Sequence, residues 1–336
     1  MKILITGGAG FIGINFVHHI LTNYTDYSVV VLDFLNYSSN PEAIKQLKKF
    51  RNFKFIKGDI RNPDLVNEVV SKVNVVMNFA AESHVDRSIM APSVFFDTNV
   101  KGAVNLLNAS LKYKINRFIQ ISTDEVYGSI NKGRSKEKDP LNPTSPYSSS
   151  KAAADLIALS YHKTFGLPVI ITRSSNNFGP YQHPEKFLPL FITNAFQNQR
   201  LPLYGDGKNI RNWIYVEDNC RGIDVVLHKG NPGEIYNIGG DVEMRNIDIV
   251  NYVLNILGKD PDLIQHVKDR PAHDRRYALD SGKIKKLGWK NKFNFREALK
   301  KTIEWYVENR NWWQKRKSGS FKKYYIKWYK TQRGLK

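Results

Sequence analysis

The chain has 336 residues, of which 41% are hydrophobic and 12% aromatic, which indicates a packed globular protein and excludes a disordered one. The single cysteine, Cys220, excludes an intrachain disulfide, and no apolar run approaches the roughly 18 residues of a membrane span. Because the apolar start of the chain is also too short for a signal peptide, we expect a cytoplasmic protein.

The first half of the chain alternates apolar runs of strand length with segments of helical periodicity. This alternation predicts right-handed crossovers and an α/β fold of Rossmann type, a doubly wound parallel sheet with helices on both faces. The predicted strands are residues 2–6, 28–32, 53–56, 74–79, 117–121 and 169–172. The predicted helices among them are residues 11–21, 41–50, 64–72, 93–113 and 147–165.

The second half loses this alternation, because Pro180, Pro184, Pro189 and Pro202 interrupt it. We therefore predict a smaller, mixed α/β lobe at the C-terminal side, with helices at 246–257 and 295–309. The expected division is a nucleotide-binding domain over 1–175, to which some later segments return, a substrate lobe over 176–313 and a tail over 314–336.

The tail is strongly basic, with nine Lys or Arg residues, no acid and several aromatic residues, in a chain of formal charge +20. Such a composition is typical of a solvated, partly helical tail, which we expect here and which would be dispensable for catalysis. Stacking on nucleic acid or contact with a membrane surface are the alternatives. No nucleic-acid-binding motif accompanies the charge, so no nucleic-acid partner is expected.

A glycine-rich turn follows the first predicted strand and leads into the first helix. Gly7 permits the tight turn, Gly10 allows backbone amides to approach a pyrophosphate, and Gly13 allows helix and strand to pack closely. Glycines also occur in ordinary turns, but here Asp33 ends the second strand, where its carboxylate can bind ribose hydroxyls. Since that carboxylate would repel a 2′-phosphate, the pattern favours NAD over NADP.

Tyr147 and Lys151 are four residues apart at the start of a predicted helix and therefore share one face. A lysine ammonium at that distance can stabilise a phenolate, which makes the tyrosine a candidate acid or base. Tyr204 and Lys208 have the same spacing, but the neighbouring Gly and Pro residues argue against a helix there. Thr123 lies upstream of Tyr147, at the carboxyl end of a strand, where open α/β sheets bind ligands.

Asp124 and Glu125 follow Thr123 directly. Adjacent acids are common in ordinary loops, which remains the alternative explanation. At this edge of the sheet, however, one carboxyl group could remove a proton and the other donate one, provided that their surroundings separate their pKa values.

Several motifs together resemble the dTDP-glucose 4,6-dehydratases of the extended short-chain dehydrogenase/reductase family. The Thr123-Asp124-Glu125 triplet is the most specific of them, since related epimerases share the glycines, the tyrosine and the lysine. The motifs are Thr6-Gly-Gly-Ala-Gly-Phe-Ile-Gly13, Ala80-Ala-Glu-Ser-His-Val-Asp-Arg-Ser88, Ser122-Thr-Asp-Glu-Val-Tyr-Gly128, Tyr147-x-x-x-Lys151, Asn176-Asn-Phe-Gly-Pro180, Arg211-Asn-Trp-Ile-Tyr-Val-Glu-Asp218, Tyr236-Asn-Ile-Gly-Gly240 and Asp269-Arg-Pro-Ala-His-Asp274.

The resemblance implies a residue set for the cofactor and another for a nucleoside-diphosphate glucose. NAD would contact Gly7, Gly10, Phe11, Ile12, Gly13, Asp33, Asn36, Asp59, Ile60, Ala80, Ala81, Thr98, Tyr147, Lys151 and Asn177. The substrate would contact Ser83, Thr123, Asn176, Lys186, Phe187, Tyr204, Arg211, Asn246, Arg270 and His273. Arg211 and Arg270 suit a diphosphate because a guanidinium binds two oxygens at once, although each could also be an ordinary surface charge.

The implied reaction oxidises C4 of the sugar with NAD, eliminates water across C5–C6 and returns the hydride to C6. Thr123, Asp124, Glu125, Tyr147 and Lys151 would be the catalytic residues. The rival hypotheses are a UDP-glucose 4,6-dehydratase, a nucleotide-sugar epimerase and, from another class, a non-catalytic NAD-binding protein. The resemblance also implies a homodimer, and the histidine spacing predicts no metal.

Two departures from the family pattern affect binding residues. Asn36 begins an Asn-Tyr-Ser-Ser sequence where the family has Thr-Tyr-Ala-Gly, and Ala272 replaces a glycine between Pro271 and His273. Neither departure touches the reacting groups.

Overall fold

The computed structural model describes all 336 residues. The chain forms a large parallel sheet covered by helices on both faces and a smaller lobe beside the sheet. The strands are β1 (Lys2–Thr6), β2 (Ser28–Asp33), β3 (Phe53–Lys57), β4 (Val75–Asn78), β5 (Arg117–Thr123), β6 (Val169–Ser174), β7 (Asn176–Phe178), β8 (Leu201–Tyr204), β9 (Ile210–Tyr215), β10 (Ile235–Ile238), β11 (Val242–Arg245) and β12 (Ile264–Val267).

Fourteen α-helices accompany the strands. They are α1 (Phe11–Asn23), α2 (Pro41–Leu47), α3 (Pro63–Val70), α4 (Val85–Met90), α5 (Pro92–Phe96), α6 (Gly102–Lys112), α7 (Pro146–Phe165), α8 (Phe187–Phe196), α9 (Val216–Lys229), α10 (Asn246–Leu257), α11 (Gly282–Lys285), α12 (Phe295–Glu308), α13 (Arg310–Arg316) and α14 (Ser320–Tyr325). Short 3₁₀ turns cover Asp124–Tyr127 and Pro261–Leu263, and π-helical turns cover Asp97–Lys101 and Ile326–Gln332. None of the helices is both long and apolar enough to cross a lipid bilayer.

The central sheet has seven parallel strands in the order β10-β6-β5-β4-β1-β2-β3. Alternate residues of β1 face opposite cores: Ile3 and Ile5 pack with α1 and α9, whereas Leu4 packs with α3, α6 and α7. All three side chains are fully buried, as expected for a parallel sheet covered on both sides. The Rossmann-type doubly wound fold predicted from the alternation of patterns is therefore confirmed.

The predicted elements of the first half lie within a few residues of the observed ones. The predicted helix 93–113 is one helical path in which the π turn Asp97–Lys101 separates α5 from α6. Turns of this kind are frequent at functional sites, and this one carries Thr98, a predicted cofactor residue. β10, from the second half of the chain, forms an edge of the central sheet beside β6.

The smaller lobe contains two short sheets. One has the order β11-β9-β7, with β9 antiparallel to β11 and parallel to β7, and the other pairs β8 with β12. Helices α8, α10 and α12 pack on these strands, with Ile192, Val253 and Leu299 among the buried contacts. The predicted helix 246–257 matches α10, and the predicted helix 295–309 matches α12 to within one residue.

The expectation of a solvated tail is wrong. Within the C-terminal segment (residues 314–336), Tyr324, Trp328 and Tyr329 are 1–4% exposed and pack on Leu203 and Leu254 of the smaller lobe. The aromatic residues recur at helical spacing and form a buried stripe, while Lys322, Lys323, Lys327 and Lys330 occupy the outer face. Loss of this segment would expose a hydrophobic core, so the burial does not support its dispensability.

Candidate functional site

A cavity of about 450 Å³ opens at the carboxyl ends of the central strands. The loops after β1, β2, β4, β5 and β6 all contribute to its walls. Ligands of open α/β sheets bind at this edge, since the loops there diverge to opposite faces of the sheet. The cavity contains every residue that was predicted to contact NAD and every residue predicted to be catalytic.

Two positions of the glycine-rich turn require glycine, because a side chain at either one would clash with the backbone. Gly7 has φ +67°, and a Cβ atom there would lie 2.5 Å from the backbone nitrogen of Ala80. A Cβ atom on Gly13 would lie 2.3 Å from the carbonyl oxygen of Gly7. Gly10 precedes α1 without any side-chain cap, so the free N–H groups of the helix start remain available to an anion.

Asp33 connects the glycine-rich turn with the loop after β2. Its carboxylate accepts hydrogen bonds from the backbone nitrogens of Ala9 at 2.9 Å and Leu35 at 2.7 Å, and from the Ser39 hydroxyl at 3.1 Å. Burial raises the pKa of Asp33, and these hydrogen bonds oppose that rise. The carboxylate therefore fixes the glycine-rich turn and the loop after β2 relative to each other.

The sequence reasoning missed further residues of the cavity walls, among them Phe34, Arg61 and Glu82. Phe34 is 55% exposed directly after Asp33, and the Arg61 guanidinium lies 5.9 Å from its ring centre. Arg61 is paired with Asp59 at 2.6 Å, which neutralises its charge. An exposed aromatic residue directly after the strand-ending acid is the signal that could have drawn attention to Phe34.

Tyr147 and Lys151 project from the first turns of α7 into the cavity. A capping box between Ser145 and Ser148, with Pro146 at the first helical position, fixes where this helix begins. Burial, followed by the charge of Glu125, raises the pKa of Tyr147, whereas the Thr123 hydroxyl lowers it.

The contact of Lys151 differs from the simple expectation of an ammonium beside the phenol. Its Nζ donates a hydrogen bond to the carbonyl oxygen of Ile121 at 2.6 Å. Burial lowers the pKa of Lys151 to about 8, although Asp155 opposes the shift. The stabilisation of a Tyr147 phenolate by Lys151 stays a prediction.

Asp124 and Glu125 are neighbours in the chain, and more basic side chains act on Glu125 than on Asp124. Burial, and then the charge of Glu125, raise the pKa of Asp124 to about 8, and its Oδ2 atom is buried without a hydrogen-bond partner. Burial also raises the pKa of Glu125, but Arg270, Arg211 and Lys186 oppose that rise. At neutral pH the arrangement therefore favours a protonated Asp124, whereas the three basic side chains favour the charged form of Glu125.

The predicted substrate residues divide into two groups. Ser83, Thr123, Asn176 and Lys186 line the cavity. The remaining six, Phe187, Tyr204, Arg211, Asn246, Arg270 and His273, do not belong to its walls.

Residues of the second group make contacts within the smaller lobe. Arg211 donates to the backbone carbonyl of Asp274 at 3.0 Å, and the ring of Phe187 packs against Trp213. The Tyr204 ring contacts His273, and the backbone nitrogen of Asn246 donates to the carbonyl oxygen of Asn209 at 2.9 Å. Their contact with a substrate stays a prediction.

Ala272 has φ +49°, in the left-handed region that favours glycine. Where the family has glycine, this chain therefore places a residue with a side chain in a backbone conformation that favours glycine. The position lies between Arg270 and His273, two predicted substrate residues. Elsewhere in the site, no group of three His, Cys, Asp or Glu side chains is arranged to hold a metal ion.

Comparisons with known proteins match almost the whole chain. The family model described as GDP-mannose 4,6 dehydratase matches residues 4–302. The low-salt glycan biosynthesis protein Agl12 of Haloferax volcanii is 50% identical over 91% of this chain and 99% of its own length. The dTDP-glucose 4,6-dehydratase of Streptomyces niveus is 47% identical over 95% and 96%, respectively.

A solved structure agrees in fold as well as in sequence. The dTDP-glucose 4,6-dehydratase DesIV from Streptomyces venezuelae, with NAD and TYD bound, has a TM-score of 0.92 and 47% identity, covering 94% of this chain and all of its own. With the cavity, the glycine-rich turn and the Tyr147–Lys151 pair, these matches establish that the chain belongs to the GDP-mannose 4,6-dehydratase family.

Proposed function

We propose that this protein is an NAD-dependent hydro-lyase that converts dTDP-glucose into dTDP-4-keto-6-deoxyglucose. The observation that carries the proposal is the pair Asp124 and Glu125, held in one cavity with Tyr147. Burial raises the pKa of Asp124 to about 8, and three basic side chains oppose the corresponding rise at Glu125. A reaction that only oxidises and reduces C4 needs the tyrosine and the lysine but neither acid. Elimination of water needs one group to accept a proton and another to donate one.

The cavity residues fit NAD. The uncapped start of α1 suits the pyrophosphate, and Asp33 suits the ribose hydroxyls. Asn177 keeps a buried oxygen without a partner in the same wall, which a carboxamide could satisfy. When bound, NAD supplies the acceptor for the hydride of C4 and later returns that hydride to C6.

The chain's own residues divide the proton transfers among them. Tyr147 accepts the proton of the C4 hydroxyl, and Thr123 donates a hydrogen bond to the same oxygen. The resulting ketone acidifies the C5 hydrogen, which the Glu125 carboxylate removes. Asp124 then protonates the departing C6 hydroxyl, so that water leaves and a double bond forms between C5 and C6. When C6 receives the hydride, Glu125 returns its proton to C5.

Three basic side chains near Glu125 would hold the diphosphate of the substrate. Lys186 lines the cavity, and the charges of Lys186, Arg211 and Arg270 all act on Glu125. A diphosphate beside Glu125 would thus meet two guanidinium groups and an ammonium. We propose that the base lies toward the smaller lobe, with a cofactor domain over 1–175, to which some later segments return, and a substrate lobe mainly over 176–313.

The experiment that tests the function is incubation of the purified protein with dTDP-glucose and, separately, with UDP-glucose. Mass analysis of the products should show loss of water from dTDP-glucose. Preferred dehydration of UDP-glucose would correct the base, and conversion to a product of unchanged mass would support an epimerase instead. Absence of any turnover with bound NAD would favour a non-catalytic NAD-binding protein.

We further propose that the protein is a homodimer paired through α5, α6 and α7. Val94, Phe96, Leu156 and Phe165 on these elements are 42–58% exposed, although they are large and apolar. Pairing with a second copy would cover them in a four-helix bundle. Light scattering at micromolar concentration should give twice the mass of the chain, and a monomeric mass would contradict this.

The single buried cysteine supports a reducing, cytoplasmic location.

A further inference from the structure

Asp86 lies at the centre of a buried polar cluster that joins four distant parts of the chain. It belongs to α4 and is 2% exposed. Its Oδ2 atom accepts hydrogen bonds from the hydroxyl groups of Tyr204 at 2.7 Å and Tyr324 at 3.0 Å. Its Oδ1 atom lies 3.7 Å from Nη1 of Arg270.

The C-terminal segment contributes two polar groups to this cluster. One is the Tyr324 hydroxyl, and the other is Nε1 of Trp328, which donates a hydrogen bond to the Tyr204 hydroxyl. Because Tyr204 gives its own hydrogen to Asp86, the two residues of the segment support the carboxylate directly and through Tyr204. Buried indole and phenol groups need polar partners, and here those partners converge on one acid.

Arg270 is the member of the cluster whose guanidinium group was predicted to bind the diphosphate of the substrate. Its side chain is 14% exposed, its Nε atom is buried without a partner, and its charge acts on Glu125. A buried charge must be matched by an opposite one, and Asp86 lies near enough to provide that match. The unpartnered Nε leaves the guanidinium with donor capacity for a ligand.

We propose that the C-terminal segment is a positioning element for the nucleotide sugar: Tyr324 and Trp328 fix Asp86 and Tyr204, and Asp86 fixes the Arg270 guanidinium for the diphosphate. This inference rests on the proposed function, since it assumes that Arg270 binds the substrate. It goes beyond that function by giving substrate affinity to residues outside the family model, which ends at residue 302.

The test uses a variant that removes one hydroxyl group and keeps the ring. Tyr324→Phe preserves the aromatic packing in the smaller lobe and the position of the ring 4.7 Å from the Arg87 guanidinium. We expect KM for dTDP-glucose, and the Kd of dTDP measured by calorimetry, to rise roughly three- to thirtyfold, since hydrogen bonds to charged groups are the strong ones. The kcat at saturation and the amount of bound NAD should stay within about twofold, which a general loss of structure would not allow.

Tyr325→Phe is the matched control. Tyr325 is adjacent in the same helix, but its hydroxyl accepts a hydrogen bond from Asn194 at 3.1 Å and does not contact Asp86. It should leave KM and the Kd of dTDP unchanged. Equal effects of the two variants would overturn the proposal, because they would show a general contribution of the segment to folding.

A double-mutant cycle with Arg270→Lys links the segment to the guanidinium. If Tyr324 acts through Arg270, Tyr324→Phe should weaken dTDP binding much less in the Arg270→Lys background than in the wild type. Additive effects, or an unchanged Kd in the single variant, would overturn the proposal.

The same measurements separate this inference from the proposed function. Should the wild type dehydrate UDP-glucose instead, the substrate assignment fails, and KM for UDP-glucose and the Kd of UDP test the segment equally well because both nucleotides carry the diphosphate. Should no dehydration occur at all, the comparison of dTDP affinities still decides the role of Tyr324.

Discussion

Asp155 on α7 and Arg173 on β6 form an ion pair at 2.9 Å that is shielded from solvent, with side-chain exposures of 0% and 2%. The same carboxylate oxygen accepts a hydrogen bond from Ser122 at 3.0 Å, and Arg173 donates to the Tyr127 hydroxyl at 2.8 Å. The pair therefore fixes α7, which carries Tyr147 and Lys151, against the strands that carry Thr123 and Ser174. It positions the reacting helix without contacting the reacting groups.

Removal of one partner of this pair should be strongly destabilising. Arg173→Met leaves the buried Asp155 carboxylate without its cation, and we expect a loss of about 3–5 kcal/mol of unfolding free energy. Chemical denaturation monitored by circular dichroism measures it. Lys300→Met is the control, because Lys300 and Glu304 form an exposed i,i+4 pair at 3.8 Å, whose loss should cost at most about 0.5 kcal/mol. Equal losses in the two variants would contradict the structural role of the Asp155–Arg173 pair.

The two acids should be needed for elimination but not for oxidation. Asp124→Asn and Glu125→Gln should each lower turnover by roughly 10²- to 10⁴-fold, since each removes a group that transfers a proton. Both variants should still bind NAD and substrate. In a single turnover they should accumulate reduced cofactor and the 4-keto-glucose nucleotide, which absorbance and mass analysis detect. Full turnover in either variant would refute its assigned role.

Tyr147→Phe should stop the reaction at the first step. Without the phenol oxygen, nothing at this position accepts the C4 proton, so reduced cofactor should not form in a single turnover. The variant keeps the ring contact with Phe95, and thermal unfolding should show an intact fold. Reduced cofactor forming as fast as in the wild type would mean that another group is the base.

The pH dependence of elimination should follow Asp124. Because burial raises the pKa of Asp124 to about 8, its carboxyl group holds the proton below about pH 8 and loses it above. A general acid is active only when protonated, so the elimination rate should fall about tenfold per pH unit above that value. Stopped-flow measurement of the single-turnover rate tests this.

Lys151 titrates in the same range, because burial lowers its pKa to about 8 as well. In the Asp124→Asn variant, elimination no longer follows oxidation. The pH dependence of its oxidation rate therefore reports the titration of Lys151 without that of Asp124. A pH-independent elimination rate in the wild type up to about pH 10 would contradict the role of Asp124 as the acid.

The conformation of Ala272 predicts a stabilising substitution. A residue with a Cβ atom at φ +49° is strained, and Ala272→Gly should raise the unfolding free energy by up to about 1 kcal/mol. Ala153→Gly, within α7, is the control and should lower it by about 0.5–1 kcal/mol. A destabilising effect of Ala272→Gly would show that the loop between Arg270 and His273 gains more from a restricted unfolded chain than it loses by strain.

Part of the cofactor walls could be predicted from sequence because several of their residues lie at the end of a strand or directly after it. Gly7, Asp33 and Thr123 are set by local pattern, and a parallel sheet brings the carboxyl ends of its strands to one edge. No contact between distant segments has to be known in advance for this part of the site. The same reasoning placed Tyr147 and Lys151 on one helix face.

The Asp86 cluster could not be predicted in this way. Asp86 and Tyr324 are 238 residues apart, and their contact depends on how the C-terminal segment packs on the smaller lobe. The basic composition of that segment led to the prediction of a solvated tail. The spacing of Phe321, Tyr324 and Trp328, however, determines which side of the segment is buried. An aromatic stripe at helical spacing is the feature that distinguishes a packed end of the chain from a solvated one.

The position of Tyr324 also sets an order of assembly during synthesis. A growing polypeptide leaves the ribosome from its N-terminus, and domains begin to fold as they emerge. The glycine-rich turn, Asp33 and Tyr147 emerge early, but the second hydroxyl bound to Asp86 is translated 238 residues after that acid. We therefore expect a nascent chain to bind the sugar nucleotide fully only after Tyr324 has emerged, later than the parts that hold the dinucleotide.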